Sequence, residues 1–243
     1  MNDNQSLPSP RPERYRRHES FFDSAAWKRL TTTRVVVAGV GGLGSHVLSS
    51  LARLGPIDLC LWDPGVIDEP DLNRQILYTP EDLGKAKAVR AAERLREINP
   101  AISVESFPDP VSKGAVERVV EGAPAVVFDC LDSFHARGVV EDLRTGGIGP
   151  VFHGGVEGWY GQVTTLQTAG GGYARAFGPA FRELPTAAKP ILATTVAVVA
   201  ALQVGEFVHW CRSGNTTPLS DVLLMYDGMG LRFDRIELQP GEA

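Results

Sequence analysis

A continuous apolar run, RVVVAGV from Arg34 to Val40, leads straight into GVGGLG and then into SHVLSSLARLG, whose apolar residues recur at helical spacing. This strand, glycine turn and helix limits the chain more than any other feature. A strand apolar on both faces must be covered by helices on both sides, which is the arrangement of a parallel sheet. The pattern then repeats. IDLCLWD reads as a second strand ending at Asp63, GKAKAVRAAERLREINP as a long helix closed by Asn99 and Pro100, ISVESFP as a strand, VSKGAVERVVEG as a short helix, and APAVVFDCLDS as a strand with two aspartates at its end. In the second half, PVFHGGVEGWYGQVTTLQ predicts two strands, Ile191 to Trp210 a long apolar helix, and VLLMYDGMGLRFDRIEL a hairpin turning at DGMG. The tract TAGGGYARAFGPAFRELPTAAKP lacks a period and reads as a long surface loop or crossover. The expected fold class is α/β, Rossmann-like, a mostly parallel sheet with helices on both faces and antiparallel strands in the C-terminal half.

Composition narrows the setting. The chain has 243 residues, 43% hydrophobic and 22% charged, with a net charge of −5, so disordered and coiled-coil classes are excluded and a strongly electrostatic grip on nucleic acid is disfavoured. Cys60, Cys130 and Cys211 form no CxxC pair, which argues against a disulfide framework and fits a reducing, cytoplasmic location. The first residues are polar and proline-punctuated, unlike a secretory signal. The stretch Ile191 to Val208 carries Gln203 and Glu206, which suits a buried helix better than a membrane span. Residues 1–20 are expected to form an N-terminal arm, mobile until assembly, and residues 21–243 a single domain.

Gly39, Gly41 and Gly44 have GxGxxG spacing, and with Gly42 they leave the amides at a helix N-terminus open to a phosphate. Asp63, nineteen positions after Gly44, ends the next strand, where a carboxylate accepts bonds from ribose hydroxyls. These features alone define a nucleotide site; the alternative is a glycine turn required for tight helix packing. Asn73, Arg74 and Gln75 precede Lys85 and Lys87 by about a dozen residues, and such cations favour a triphosphate over a dinucleotide. The alternatives are a surface ion pair for Arg74 and a solvated helix face for the lysines. Cys130 reads as a small buried thiol. His46 is placed to touch phosphate or lie on the helix surface, and His153 is a candidate to line a substrate groove.

In order, GVGGLG, the acid ending the second strand, LNRQ, GKAK, INP and DCLDSFHAR resemble the ThiF/MoeB/HesA adenylyltransferases, bacterial relatives of ubiquitin-activating enzymes. RYRRH near the N-terminus is similar to the family's RYxRQ, and MYDGMGLRFDRIEL to its closing strands, so the resemblance runs from about Arg14 to Leu238. It implies ATP-dependent adenylation of the C-terminal glycine of a ubiquitin-like sulfur carrier of the ThiS/MoaD kind, ending in Gly-Gly, with release of pyrophosphate. It further implies that the glycine loop, Asp63, Asn73 and Gln75 hold the nucleotide, that Arg74 and Lys87 clamp the polyphosphate, that Asp132 holds magnesium, and that Arg14 reaches the partner's ATP across a homodimer interface. Arg137 matches an arginine with a structural or substrate-orienting role.

The chain departs from the family at several positions. Many relatives hold a structural zinc with two CxxC pairs. Gly172 and Arg175 stand where the first pair would be and the second is missing, so no zinc is expected. Thr186 stands near the place of a crossover-loop cysteine, which argues against transfer through an enzyme thiol there. Asp71 replaces a common Asn and adds negative charge near the triphosphate unless it points away or helps the metal. His18 stands where the family usually has Gln. Two further readings are adenylation of a small-molecule or tRNA-borne carboxylate, and a non-catalytic nucleotide-binding scaffold.

Overall fold

A computed structural model describes residues 11–184 and 190–238. One eight-stranded sheet, ordered β3-β2-β1-β4-β5-β6-β7-β8, runs through it. Strands β1 (Arg34–Ala38), β2 (Asp58–Trp62), β3 (Ser103–Phe107), β4 (Ala125–Asp129) and β5 (Val151–Glu157) are parallel. Strands β6 (Tyr160–Leu166), β7 (Val222–Asp227) and β8 (Arg232–Glu237) continue it in antiparallel sense. The helices are α1 (Ser24–Thr32), α2 (Gly42–Leu54), α3 (Lys87–Ile98), α4 (Lys113–Val120), α5 (Phe134–Thr145), α6 (Gly172–Phe177) and α7 (Ala193–Ser213).

The alternation within β1 sorts its side chains into two cores. Val35 and Val37 join the core that includes α2 and α7, while Val36 and Ala38 join the one under α4 and α5. Their neighbours follow the same parity, Leu59 and Val126 on one side and Cys60 and Val127 on the other, because the register pairs Val35 with Leu59 and Val126. The α2 stripe Val47, Leu48 and Leu51 is fully buried, and Phe207 of α7 meets Phe128 and Phe152 edge-on at 5.7 and 5.8 Å. Burying a ring of that size contributes about 1.5–3 kcal/mol.

By length and composition α7 could cross a membrane, but half of its apolar window is buried in the protein. Its polar residues are built into the core: Gln203 donates to the carbonyls of Asp129 and Phe152, and Glu206 accepts from Thr165 Oγ1 at 2.7 Å and the Leu219 amide at 3.0 Å.

Several expectations need correction. The segment read as one long loop contains α6 and a 3-10 turn, Phe181–Glu183, with Tyr173 and Phe181 buried and stacked at 5.4 Å. Its two anchoring aromatics override the absence of a period. Helices α1 and α5 have no counterpart in the sequence reading; each is started by a side-chain cap, Asp23 on the Ala26 amide and Ser133 on the Ala136 amide. Within the arm, residues 11–20 are docked, not loose: Tyr15 is 1% exposed, the Asn99 amide donates to its hydroxyl at 2.9 Å, and Arg11 lies 4.4 Å from the Trp27 ring. Residues 1–10 of the arm and Thr186 lie outside the described residues.

Gly172 has φ +52, and a Cβ there would fall within about 2.5 Å of the Glu141–Arg144 ion pair, so any side chain would displace it. Arg175 ties α6 to Asp221 before β7 and to the Leu238 carbonyl after β8. No group of three or more His, Cys, Asp or Glu capable of holding a metal occurs among the described residues.

Candidate functional site

The site lies at the C-terminal edge of the parallel strands, where β1 turns into α2 and the strand order reverses between β1 and β4. Gly39 turns the chain with φ +91, and a Cβ on it would stand 2.7 Å from the Cys130 carbonyl. A Cβ on Gly44 would stand 2.0 Å from the Gly39 carbonyl, so the first turn of α2 closes onto the loop only without a side chain there. Gly41 is the N-cap of α2 and Gly42 its first residue, leaving amides at the positive end of the helix dipole.

Asp63 fixes the loop from β2. Its Oδ2 accepts from the Val40 amide and its Oδ1 from the Gly65 amide, both at 2.7 Å. Each oxygen keeps a lone pair for a ribose hydroxyl. Tyr78 supplies a second tie, its hydroxyl donating to the Val40 carbonyl at 2.9 Å and lying 3.2 Å from the Lys87 carbonyl; burial pushes its pKa well up, so it stays a neutral donor. Nothing in the sequence beyond its place after NRQ singles Tyr78 out.

The cations assemble over this loop. Lys87, first residue of α3, brings Nζ to 2.8 Å from Asp71 Oδ2, and Arg74 Nη2 lies 3.4 Å from Asp71 Oδ1. A Cβ on Gly42 would touch the Arg74 Cδ at 3.7 Å, so Arg74 crosses the start of α2. Gln75 is 2% exposed and donates to Asp71 Oδ1 at 2.6 Å, and its Oε1 has no partner. Asn73 is exposed and accepts from Arg74 Nη1 at 3.0 Å. The surface ion pair weighed for Arg74 thus has a definite partner, Asp71, beside the glycine loop.

Asp132 lies three residues past the end of β4, exposed, in the loop whose Cys130 carbonyl abuts Gly39. Magnesium is held by one or two carboxylates together with phosphate oxygens and waters, and a single exposed carboxylate beside a phosphate loop fits that requirement. Arg14 does not join this cluster in its own chain. It bonds the Asn99 side chain, and Asn99 holds the carbonyls of Ala52 and Gly55 at the far end of α2, about 18 Å from the glycine loop at 1.5 Å per residue.

Behind the edge sits a sealed cluster. Asp129 Oδ2 accepts from Arg137 Nε at 3.1 Å, His153 Nδ1 at 2.6 Å and the Tyr173 hydroxyl at 2.5 Å, and Oδ1 accepts from the Leu131 amide. Burial opposes the Asp129 charge, but the Arg137 guanidinium and the hydrogen bonds outweigh it and hold the carboxyl below its usual range. Burial lowers the His153 pKa, so the ring stays neutral with Nε2 facing Gln162 at 3.2 Å. His153 therefore does not line a groove; it is fully buried. Arg137 also bonds the carbonyls of Leu131 and Gly154, the structural one of its two expected roles. Cys130 is the buried thiol expected, its pKa pushed up by burial. His46 is half-buried with a partnerless Nε2, and burial lowers its pKa.

An open α/β sheet with a glycine loop, an aspartate just past β2 and paired cations at its switch point has the form of a nucleotide-binding domain. Residues 15–242 match the ThiF family model. The SAMP-activating enzyme E1 of Haloferax volcanii is 34% identical over 238 residues, 95% of this chain and 87% of that protein. The sulfur carrier protein adenylyltransferase of Thermus thermophilus is 30% identical over 87% of this chain and 81% of its own length. The crystal structure of E. coli MccB with ATP superimposes with a TM-score of 0.81 at 20% identity, covering 97% of this chain and 74% of that one, and shares the fold. The chain belongs to the ThiF family and is an adenylyltransferase.

Proposed function

We propose that this enzyme uses ATP to adenylate the C-terminal glycine carboxylate of a ThiS/MoaD-like sulfur carrier ending in Gly-Gly. The observation that carries the reading is the convergence of Arg74 and Lys87, from separate segments, on Asp71 beside a glycine loop that Tyr78 ties to the start of α3. The glycine loop and the α2 N-terminus receive phosphate, and Asp63 receives the ribose. A carboxylate oxygen of the carrier bonds to the α-phosphorus while the bond to the bridging oxygen breaks, its electron pair leaving with pyrophosphate. Lys87 and Arg74 stabilise the charge that accumulates on that leaving group. No general base is required, because the attacking carboxylate is already ionised. Magnesium, held by Asp132 and phosphate oxygens, would supply further charge neutralisation.

A protein substrate is supported by the exposed apolar residues at the antiparallel end of the sheet. Trp159 and Tyr160 at the β5–β6 turn, Met229 and Leu231 at the β7–β8 turn, and Phe233 and Ile236 on β8 are each about half exposed or more. In this reading the enzyme is a homodimer in which Arg14, bonded to Asn99 far from its own glycine loop, serves the partner's site.

ATP–pyrophosphate exchange tests the reading. It should appear only when a diglycine-ended carrier is added, and exchange indifferent to every such carrier would refute it. Mixing Arg14→Ala and Lys87→Ala protomers should restore exchange that neither variant shows alone.

A further inference from the structure

The two polyphosphate cations already have an anion. Asp71 Oδ2 takes Lys87 Nζ at 2.8 Å, and Oδ1 takes Arg74 Nη2 at 3.4 Å. Each oxygen also takes one neutral donor: the Asp68 amide to Oδ2 at 3.2 Å and the Gln75 side-chain amide to Oδ1 at 2.6 Å. The carboxylate is therefore held in place whether or not the cations stay on it. Arg74 has independent holds as well, on the Pro70 carbonyl at 2.8 Å and on Asn73. Withdrawing Arg74 therefore orphans neither side, and Lys87, held through Nζ by Asp71, can pass directly from the carboxylate to an incoming anion while Asp71 keeps its neutral donors.

We propose that Asp71 is a resident counter-ion that the β- and γ-phosphates displace from Lys87 and Arg74, and that it thereby weakens triphosphate binding and speeds pyrophosphate departure. This rests on the ATP reading above. With Asp71 the three charges sum to +1, and without it Lys87 and Arg74 present +2. The additional charge acts on every ligand that reaches these cations with a β-phosphate, and little on one with an α-phosphate alone. When the α–β bond breaks, the carboxylate stands ready to reclaim both cations from pyrophosphate. Asp71 is a positioning residue here, with no contact to the reacting atoms required.

Calorimetric titration of the full chain with magnesium ATP, magnesium pyrophosphate and AMP tests this. Asp71→Asn should bind ATP and pyrophosphate about tenfold tighter or more, with AMP affinity changed less than about threefold. Asp71→Glu, which keeps the charge, should keep the wild-type ratio of ATP to AMP affinity. Should Asp71→Asn fail to fold, Asp71→Ser removes the same charge and is judged by the same ratio. Unchanged or weaker ATP binding by a folded neutral variant overturns the counter-ion role while leaving the ATP reading standing. If neither wild type nor variant binds ATP, pyrophosphate or AMP, the ATP reading itself falls and the counter-ion role falls with it.

Discussion

Two aspartates organise the functional edge, and they hold their arginines on opposite terms. Asp129 is fully buried, with a guanidinium, an imidazole and a phenol on it and all their other sides closed by protein. Asp71 sits at the mouth, where Arg74 and Lys87 keep 20% and 14% of their side-chain surface exposed. A sealed pair cannot release a partner without stranding a charge, whereas a largely buried pair that keeps an opening to solvent can lend its cations to a ligand. The first cluster is a foundation and the second an exchangeable contact.

The largest expected effect falls on the foundation. Asp129→Ala should cost about 3–5 kcal/mol in urea-induced unfolding, because Arg137 is left charged and unpaired inside the protein. Asp71→Asn, which leaves Arg74 and Lys87 their opening to solvent, should cost less, about 1–3 kcal/mol in the same assay, and equal losses would erase the distinction. Next, Lys87→Ala should lower carrier-dependent exchange by about 10²–10³-fold while the unfolding midpoint stays near wild type.

Acid should separate the clusters further. His153 has a folded pKa lowered from 6.5, so from pH 6.5 downward the unfolded chain binds a proton that the folded one resists, and stability falls as pH falls. Asp129, lowered from 3.8, adds loss in the same direction below that pH, since its stabilisation is present above 3.8 and disappears as the pH drops through its folded pKa. Each group contributes at most about 1.4 kcal/mol per pH unit. Urea midpoints measured from pH 7 to pH 4 should decline, and a flat profile would contradict a neutral buried His153. The smallest effect is expected at Arg175→Ala, about 1 kcal/mol, read in the same unfolding assay.

What the sequence disclosed follows from how far each signal extends along the chain. β1, α2, β2, α3 and β3 were legible because their apolar residues recur at strand or helix period within one short window. The glycine loop, Arg74, Lys87 and Asp63 were legible because local spacing carries them. α6 was not, since six residues beginning at a left-handed glycine have no period to read. The Asp129 cluster was hidden because His153 and Tyr173 lie 24 and 44 positions away and meet it only through the β4–β5 pairing and the packing of α6. Asp71 drew notice for its charge, but its bond to Lys87, sixteen positions on, needed the fold.

Arg175 carries a consequence for how the C-terminal hairpin stays closed. One guanidinium spans from α6 to Asp221 and to the carbonyl of Leu238, bracketing β7 and β8 at their open ends. Such a clasp is fastened by charge, so it slackens with ionic strength as the screening length shrinks to about 3 Å in molar salt, and a chelator has no purchase on it. The hairpin that carries Met229, Leu231 and Phe233 should thus loosen in concentrated salt while the sealed Asp129 cluster stays as it is.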